Sequence, residues 1–290
     1  MVYPKVSIVV LNWNNYKDTR ECVESLEMIT YPNNEIIIVD NGSKDGSTQK
    51  IQTEFPKYKY IYNKKNSGFT GGINIGLKYA FDNGAEYIFF INNDMIADKD
   101  FLTPLVDAMQ EKDVGFVGPT TYCFPEREKL YSAGGDINFW KGRMEERVFT
   151  LKRKEVSCLN GCFLIKREVI QKIGYFYEPY FLIFEEIDYC MQAKKAGYKI
   201  LCEPKSVIWH KTRRTLSKMS SLETYYSYRN KFLFMKRNAP FYIKYPFYLY
   251  CSAFLILTYA RRTVFGEKEI ANYMIKGVVD FWLGKFGERQ

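Results

Sequence analysis

Asn92-Asn93-Asp94 ends the apolar run Ile88–Ile91, so a hydrophobic segment of strand length stops abruptly at two amides and a carboxylate. Ligands of an open α/β sheet are met at the C-terminal ends of its buried strands. A carboxylate at such an end suits a hard divalent cation, and such a cation suits a diphosphate. A second acidic group, Glu185, Glu186 and Asp188, comes much later in the chain. Crowded carboxylates raise one another's pKa, which favours a general base working near neutral pH. The same residues at a helix N-terminus would complement its dipole, and the two readings are compatible. The one histidine, His210, ends the apolar segment Ser206–Trp209. There it can complete a cation's shell with Asp94 or serve as a structural imidazole. Lys211, Arg213 and Arg214 follow at once, placed either to neutralise a diphosphate leaving group or to begin a basic surface.

Four polar clusters fall where strands should end. They are Asn12-Trp13-Asn14, the run Asp40–Ser47, the Gly-rich run Asn66–Asn74 and Asn92–Asp94. In a parallel sheet these ends share one side, and four in succession make a site. Asp40 can accept a hydrogen bond from the N3–H of uracil or thymine, or close an Asx turn before the next helix. Gly68, Gly71 and Gly72 let backbone approach a nucleotide or phosphate closely ahead of a helix N-terminus. Asn92 and Asn93 suit a ribose or a metal-bound water, with helix capping as the competing reading. Trp140, Tyr177 and Tyr180 are candidates to stack on a sugar face.

The elements that must position these groups follow from the hydrophobic pattern. Short apolar runs at Val6–Leu11, Glu35–Val39, Tyr58–Tyr62, Tyr87–Ile91 and Val114–Val117 read as strands. Between them Tyr16–Met28, Ser47–Phe55, Thr70–Asn83 and Lys99–Glu111 read as helices. Such alternation predicts a mostly parallel, Rossmann-like central sheet flanked by helices on both faces. Residues 120–160 are rich in turn signals and read as a loop-and-hairpin insertion. A strand near Gly161–Lys166 and a helix from Glu186 to Ala196 follow.

With 290 residues, 47% hydrophobic content and a net charge of +9, the chain can hold one large domain plus a helical appendage. The split is expected near residue 216. From Lys205 to Arg262 there are twelve basic residues and one acidic residue, Glu223. Tyr245–Ala260 is uncharged for 16 residues, short of the roughly 20 a spanning helix needs. Its aromatic residues and the flanking Arg261-Arg262 suit a helix lying on an anionic membrane surface. Packing on the main domain, or on a second copy in a homo-oligomer, is the alternative. The first apolar run is too short for a signal-peptide core. Seven scattered cysteines form no zinc pattern and read as reduced core thiols, consistent with a cytoplasmic protein. A Ser- or Cys-His hydrolase is disfavoured by the lack of a nucleophile elbow. Nucleic acid is not an expected partner, because no recognition motif accompanies the basic charge.

The segments VSIVVLNWNN, IIIVDNGSKDGS, NSGFTGGINIGL, FFINNDM, NGCFLIKREVIQKIGYF and FEEIDYCMQAKKAGYKIL resemble, in order and spacing, the inverting family 2 glycosyltransferases of the GT-A fold. Within that group the similarity is closest to rhamnosyltransferase-like and galactofuranosyltransferase-like enzymes, and it covers residues 4–215. The resemblance implies a UDP- or dTDP-sugar donor, Mg2+ or Mn2+, and direct displacement at the anomeric carbon. The family's Asp-x-Asp metal motif falls on Asn92-Asn93-Asp94, leaving Asp94 to carry the metal. A metal-ligating His of the subgroup matches His210. The Glu-Asp pair that holds the family's base falls on Glu185-Glu186, so Glu186 matches the base with Glu in place of Asp, a departure that leaves Glu185 as the alternative base. Asp188 matches a supporting acidic position. Asn12, Asn14, Asp40, Asn66, Gly68, Gly71, Gly72, Asn74, Asn92, Asn93 and Arg213 fall in the donor-binding segments. A lipid-linked glycan acceptor in cell-surface polysaccharide or glycoprotein glycan synthesis would explain the basic, aromatic tail, with the enzyme peripheral on the cytoplasmic face of the membrane. A non-catalytic nucleotide-sugar binder of the same fold is the rival reading.

Overall fold

The computed structural model describes residues 3–146, 152–211 and 220–289. Its chain runs β1 (Val6–Asn12), α1 (Tyr16–Glu27), β2 (Asn34–Asp40), α2 (Ser47–Glu54), β3 (Lys59–Tyr62), α3 (Gly68–Asp82), β4 (Tyr87–Asn92), β5 (Met95–Ala97) and α4 (Leu102–Ala108). Then come β6 (Val114–Cys123), β7 (Leu130–Ser132), β8 (Gly135–Asn138), β9 (Arg143–Glu146), β10 (Lys154–Glu155), β11 (Cys162–Lys166) and α5 (Arg167–Ile173). A 3-10 turn (Glu178–Tyr180), α6 (Glu185–Lys195), β12 (Lys199–His210), α7 (Ser221–Asn238), α8 (Phe241–Val264) and α9 (Lys268–Trp282) complete it.

Side chains along β1 alternate between two apolar layers, as period-2 geometry requires. Val6, Ile8 and Val10 pack with Cys22, Leu26 and Ile51 of α1 and α2 and with Leu105 of α4. Val9 and Leu11 pack on the opposite face with Ile73 and Leu77 of α3, and the same layer takes in Val169 of α5 and Tyr189 of α6. The sheet is therefore sandwiched by helices, and its central strands are buried on both faces, which explains their unbroken Val/Ile/Phe runs.

Strand order along the sheet is β10-β12-β6-β11-β4-β1-β2-β3, with β5 added to β12 and β7 to β6. β3, β2, β1 and β4 are mutually parallel, as are β6 and β12, while β11 runs antiparallel between β4 and β6. β6 continues six residues beyond the expected Val117, because β12 and β7 pair with its second half. The predicted insertion contains the antiparallel hairpin β8–β9. α4 is shorter than the Lys99–Glu111 pattern, whose two ends lie in turns.

Helices α7–α9 build a third apolar core around Phe232, Phe234, Phe247, Met274 and Phe281. Ser220 and Glu223 form a reciprocal capping box that starts α7. This core takes in Tyr180 from the main domain, with Phe184 and Ile187 packed against it. The seven cysteines are unpaired, and six are buried.

Candidate active site

Parallel register brings the four polar clusters together. Asn12 pairs with Asp40, Leu11 with Asn92, and Asp40 with Tyr62, so these strands release their loops at one level. A cleft of about 320 Å³ opens there, lined by Trp13, Asn41, Asn66, Gly68, Asn92, Asn93, Asp94, Phe181 and Leu182, with Leu222 from α7.

Asp94 sits where β4 breaks and restarts as β5. β5 pairs antiparallel with the end of β12, setting Met95 opposite His210, and the Lys211 amide donates to the Asp94 carbonyl at 2.9 Å. The register places His210 Nε2 3.2 Å from Asp94 Oδ2. Tyr131 packs edge-on against the imidazole, with ring centroids 4.6 Å apart. Asp94 Oδ1, His210 Nδ1 and Asn92 Oδ1 are buried without a hydrogen-bond partner. Each unsatisfied buried group costs about 1–3 kcal/mol, so three at one sheet edge mark a place built for a ligand. A carboxylate and an imidazole within reach of one ion fit Mg2+ or Mn2+. Among the described residues no third His, Cys, Asp or Glu joins them, so the rest of a shell would fall to ligand oxygens and water.

Glu186 lies in the first turn of α6, where its carboxylate sits at the positive end of the helix dipole. The Gly161 amide donates to Glu186 Oε2 at 2.9 Å. Gly161 has φ +82°, a left-handed backbone conformation that favours glycine. Burial pushes the Glu186 carboxyl above its ordinary 4.5, opposed by the Gly161 amide and by His210. That influence puts the carboxylate and the imidazole in one electrostatic neighbourhood. Glu185 is buried, and burial followed by the Glu186 charge raises it too. Its Oε2 has no partner.

Other expected site residues are placed differently. Asp188 is buried and turned toward the C-terminal helices, where it pairs with Arg237 at 3.0 Å and accepts from Asn238 at 2.6 Å and from the Tyr180 hydroxyl at 3.1 Å. Tyr180 is fully buried and presents no face to a sugar. Tyr177 lies under the Arg237 guanidinium, 3.7 Å from its ring centroid. Asn12 is buried, donating to Ser47 and Thr48 and accepting from Thr19, and so ties β1 to α2 and α1. Asn74 exchanges hydrogen bonds with the Phe176 backbone across the α3 face, away from the cleft. Gly71 and Gly72 face inward, against Ser67 and Leu11, and serve helix packing. Asn14 accepts from the Lys44 amide, joining two loops. Asp40 is buried and accepts from the amide of Ser43, three residues on, at 3.0 Å, which ties down the loop after β2. Lys211 is engaged with Asp18 and Glu21. Arg213 and Arg214 lie outside the described residues.

Sequence reasoning gave no role to Asn41, which organises the cleft. Its Oδ1 accepts from the Ser67 amide and from Asn63, and its Nδ2 donates to Asn66 and to the Gly68 carbonyl. Its place beside Asp40 was the available signal. Trp13 is 52% exposed at the cleft, and a large aromatic within a polar cluster was its signal. Phe181, Leu182 and Leu222 had none, since they reach the cleft only through the fold.

Comparison with known proteins bears on the family and the fold. The low-salt glycan biosynthesis hexosyltransferase Agl10 of Haloferax volcanii is 25% identical over 240 residues, covering 79% of this chain and 74% of that protein. The dTDP-rhamnosyl transferase RfbF of Shigella flexneri is 23% identical, covering 70% of this chain and 71% of that one. The mannosyltransferase PcManGT of Pyrobaculum calidifontis, solved with GDP-Man and Mn2+, superposes with a TM-score of 0.62 at 14% identity, covering 98% of this chain and 88% of that one. The fold is that of the GT-A glycosyltransferases. The glycosyl transferase family 2 model matches residues 7–174, more than half of the chain, and the protein belongs to that family.

Proposed function

We propose that this protein is an inverting, metal-dependent glycosyltransferase that moves a sugar from a UDP- or dTDP-linked donor to a hydroxyl of a lipid-linked glycan. The observation that carries the reading is the Asp94–His210 pair at 3.2 Å with unpartnered buried atoms, beside a carboxylate of raised pKa, Glu186. Asp94 and His210 would hold Mg2+ or Mn2+, with Asn92 beside them. A divalent ion bound there supplies charge stabilisation to a leaving diphosphate.

Glu186 takes the proton of the acceptor hydroxyl. The hydroxyl oxygen bonds to the anomeric carbon as the bond from that carbon to the diphosphate oxygen breaks, and the electron pair leaves with the diphosphate. One displacement inverts the configuration. Trp13 offers an exposed face to the base, and Asn41, Asn66 and the Gly68 turn bound the nucleotide side. Glu185, buried next to Glu186, holds its proton once Glu186 ionises, because burial and the Glu186 charge both raise it. A dTDP donor has the support of the RfbF relative's name, and a glycan-building role that of Agl10.

The enzyme works at the cytoplasmic face of a membrane, with a catalytic unit over residues 1–216 and a helical unit over 217–290. No helix among the described residues is long and apolar enough to cross a bilayer, which suits a peripheral arrangement. In support, α8 is apolar on its outer side as well as its packed side: Tyr245, Leu249, Ile256 and Leu257 point to solvent while Ile243, Phe247 and Leu255 are buried. A hollow of about 550 Å³ at its end is lined by Phe254, Leu257, Arg261, Arg262 and Phe265, and shares no residue with the cleft.

A panel of UDP- and dTDP-sugars, assayed by mass detection of released nucleotide with and without chelator, tests the reading. Turnover should require a divalent ion. Glu186→Gln should lower it by about 10²–10⁴-fold while donor affinity holds. Unchanged turnover in Glu186→Gln would remove the base assignment, and turnover in chelator would remove the metal.

A further inference from the structure

The segment that leads into the proposed base is held in an unfavourable conformation by a single helix of the C-terminal region. Phe181, Ile183 and Phe184 have φ of +63°, +70° and +80°. Non-glycine residues rarely adopt that region, and a β-branched residue such as Ile183 least of all. Three in four residues persist only where the surroundings over-determine them. The next residues are Glu185 and Glu186.

The surroundings are specific. Asn230 of α7 is fully buried and donates from Nδ2 to the carbonyls of Tyr180 at 2.9 Å, Leu182 at 2.6 Å and Ile183 at 2.9 Å. Arg229, 1% exposed, donates to the carbonyls of Pro179 at 3.1 Å and Tyr180 at 2.9 Å, and to Asn230 Oδ1 at 2.9 Å. Its remaining arm holds the Gly287 carbonyl at 2.7 Å. On the other side of the segment the Phe181 carbonyl accepts from the Thr70 amide of α3 at 3.2 Å, and a Cβ at Gly68 would collide with Phe181. One strained strap thus touches the nucleotide-side turn at Phe181 and the base at its end, and α7 grips it in the middle.

We propose that Arg229 and Asn230 are positioning residues for the glycosyl transfer, fixing the strained Phe181–Phe184 strap so that Glu186 faces the Asp94–His210 pair. The inference rests on the proposed role of Glu186. Neither side chain touches the reacting atoms; both act through backbone carbonyls of the strap. The C-terminal helices are on this account part of the catalytic apparatus as well as a surface-docking unit.

The test compares full-length Asn230→Ala, Arg229→Ala and Arg229→Lys with a control, Tyr248→Phe. The control removes a part-buried α8–α7 hydrogen bond from Tyr248 to the Phe232 carbonyl and leaves the Arg229 and Asn230 contacts with the strap in place. Two readouts are taken: hydrogen–deuterium exchange over residues 178–190, and kcat and donor KM with the nucleotide sugar of the panel that turns over fastest. In Asn230→Ala, exchange in the strap should quicken and kcat should fall roughly tenfold to a hundredfold, as small misplacements of catalytic groups do, with donor KM nearly constant. Arg229→Lys should recover part of what Arg229→Ala loses. Tyr248→Phe should leave both readouts unchanged, although it weakens the helical core.

Unchanged kcat in Asn230→Ala, or an equal loss in Tyr248→Phe, would overturn the proposal. If Asn230→Ala does not fold, the two Arg229 variants decide in the same way. If the wild type turns over no nucleotide sugar, the functional reading has failed, and strap exchange alone decides the clamp, with unchanged exchange overturning it.

Discussion

Glu185 and Glu186 illustrate how neighbouring side chains of one type acquire different tasks. Both carboxyls are raised above 4.5 by burial, but Glu186 accepts an amide hydrogen bond from Gly161 while one oxygen of Glu185 has no partner. Glu186 is therefore the better stabilised anion and the first of the two to ionise, and Glu185 keeps its proton to higher pH. A pH dependence follows. Because the native pKa of each lies above the unfolded value, the native state holds protons that the unfolded chain has released. The associated stability is fully present below about 4.5 and is lost as pH rises through the native titration. Glu185→Gln should accordingly raise the unfolding midpoint at pH 8 and change it little at pH 4, as thermal denaturation at the two pH values would reveal. The same substitution should leave the rising limb of the pH–rate profile in place, because burial raises Glu186, which ionises while Glu185 is still neutral.

At the scale of elements, the site depends on how closely α3 can lie on the sheet. Gly76 faces β1 and β2, and a Cβ there would overlap Val9 and approach Val39 at 3.1 Å. Gly76→Ala should destabilise the protein by about 1–3 kcal/mol through overpacking, measurable as a shift in urea midpoint at constant slope. The cleft would widen at the Asn66–Gly68 turn as α3 moved outward. The strands and helices of the first half were legible because their hydrophobic periods are clean: β1, β2, β4, α1, α2 and α3 lie within two residues of the expected bounds at each end. Two elements were less legible for a physical reason. β5 is only three residues long and carries no periodic pattern, yet its pairing with β12 is what delivers Asp94 to His210. The second half of β6 contains Pro119 and Thr-rich polar sequence, and its extended form comes from two partners rather than from its own composition.

Across the whole molecule, the basic charge and the exposed apolar side of α8 lie in one helical unit. Leu249 is 77% exposed and Ile256 69%, a large hydrophobic display next to Arg261 and Arg262. A helix apolar on all sides is ordinarily buried or set into a membrane boundary. The double variant Leu249→Glu, Ile256→Glu should lower co-sedimentation with phosphatidylglycerol vesicles at least about tenfold, since each large side chain contributes roughly 1.5–3 kcal/mol when buried. Wild-type binding should weaken with salt and on neutral phosphatidylcholine. Unfolding midpoints should stay constant, because neither side chain contributes to the core around Phe232. Equal binding of wild type and double variant would leave α8 to a protein partner, and sedimentation velocity would then show whether that partner is a second copy.

Sequence alone determined the strand-end clusters, the acidic pair and the lone histidine, because residue type, order and hydrophobic period are local properties of the chain. It therefore carried the GT-A expectation and the candidates Asp94, Glu186 and His210. Only tertiary structure decided which polar residues serve the cleft and which serve the scaffold. Asp188, Asn12 and Asn74 matched as well in sequence as Asn66 or Asn93, but each is turned toward neighbours contributed by segments distant in the chain. The grip of Arg229 and Asn230 on the strap before Glu186 was equally out of reach, since a buried polar residue is defined by the carbonyls that fold against it.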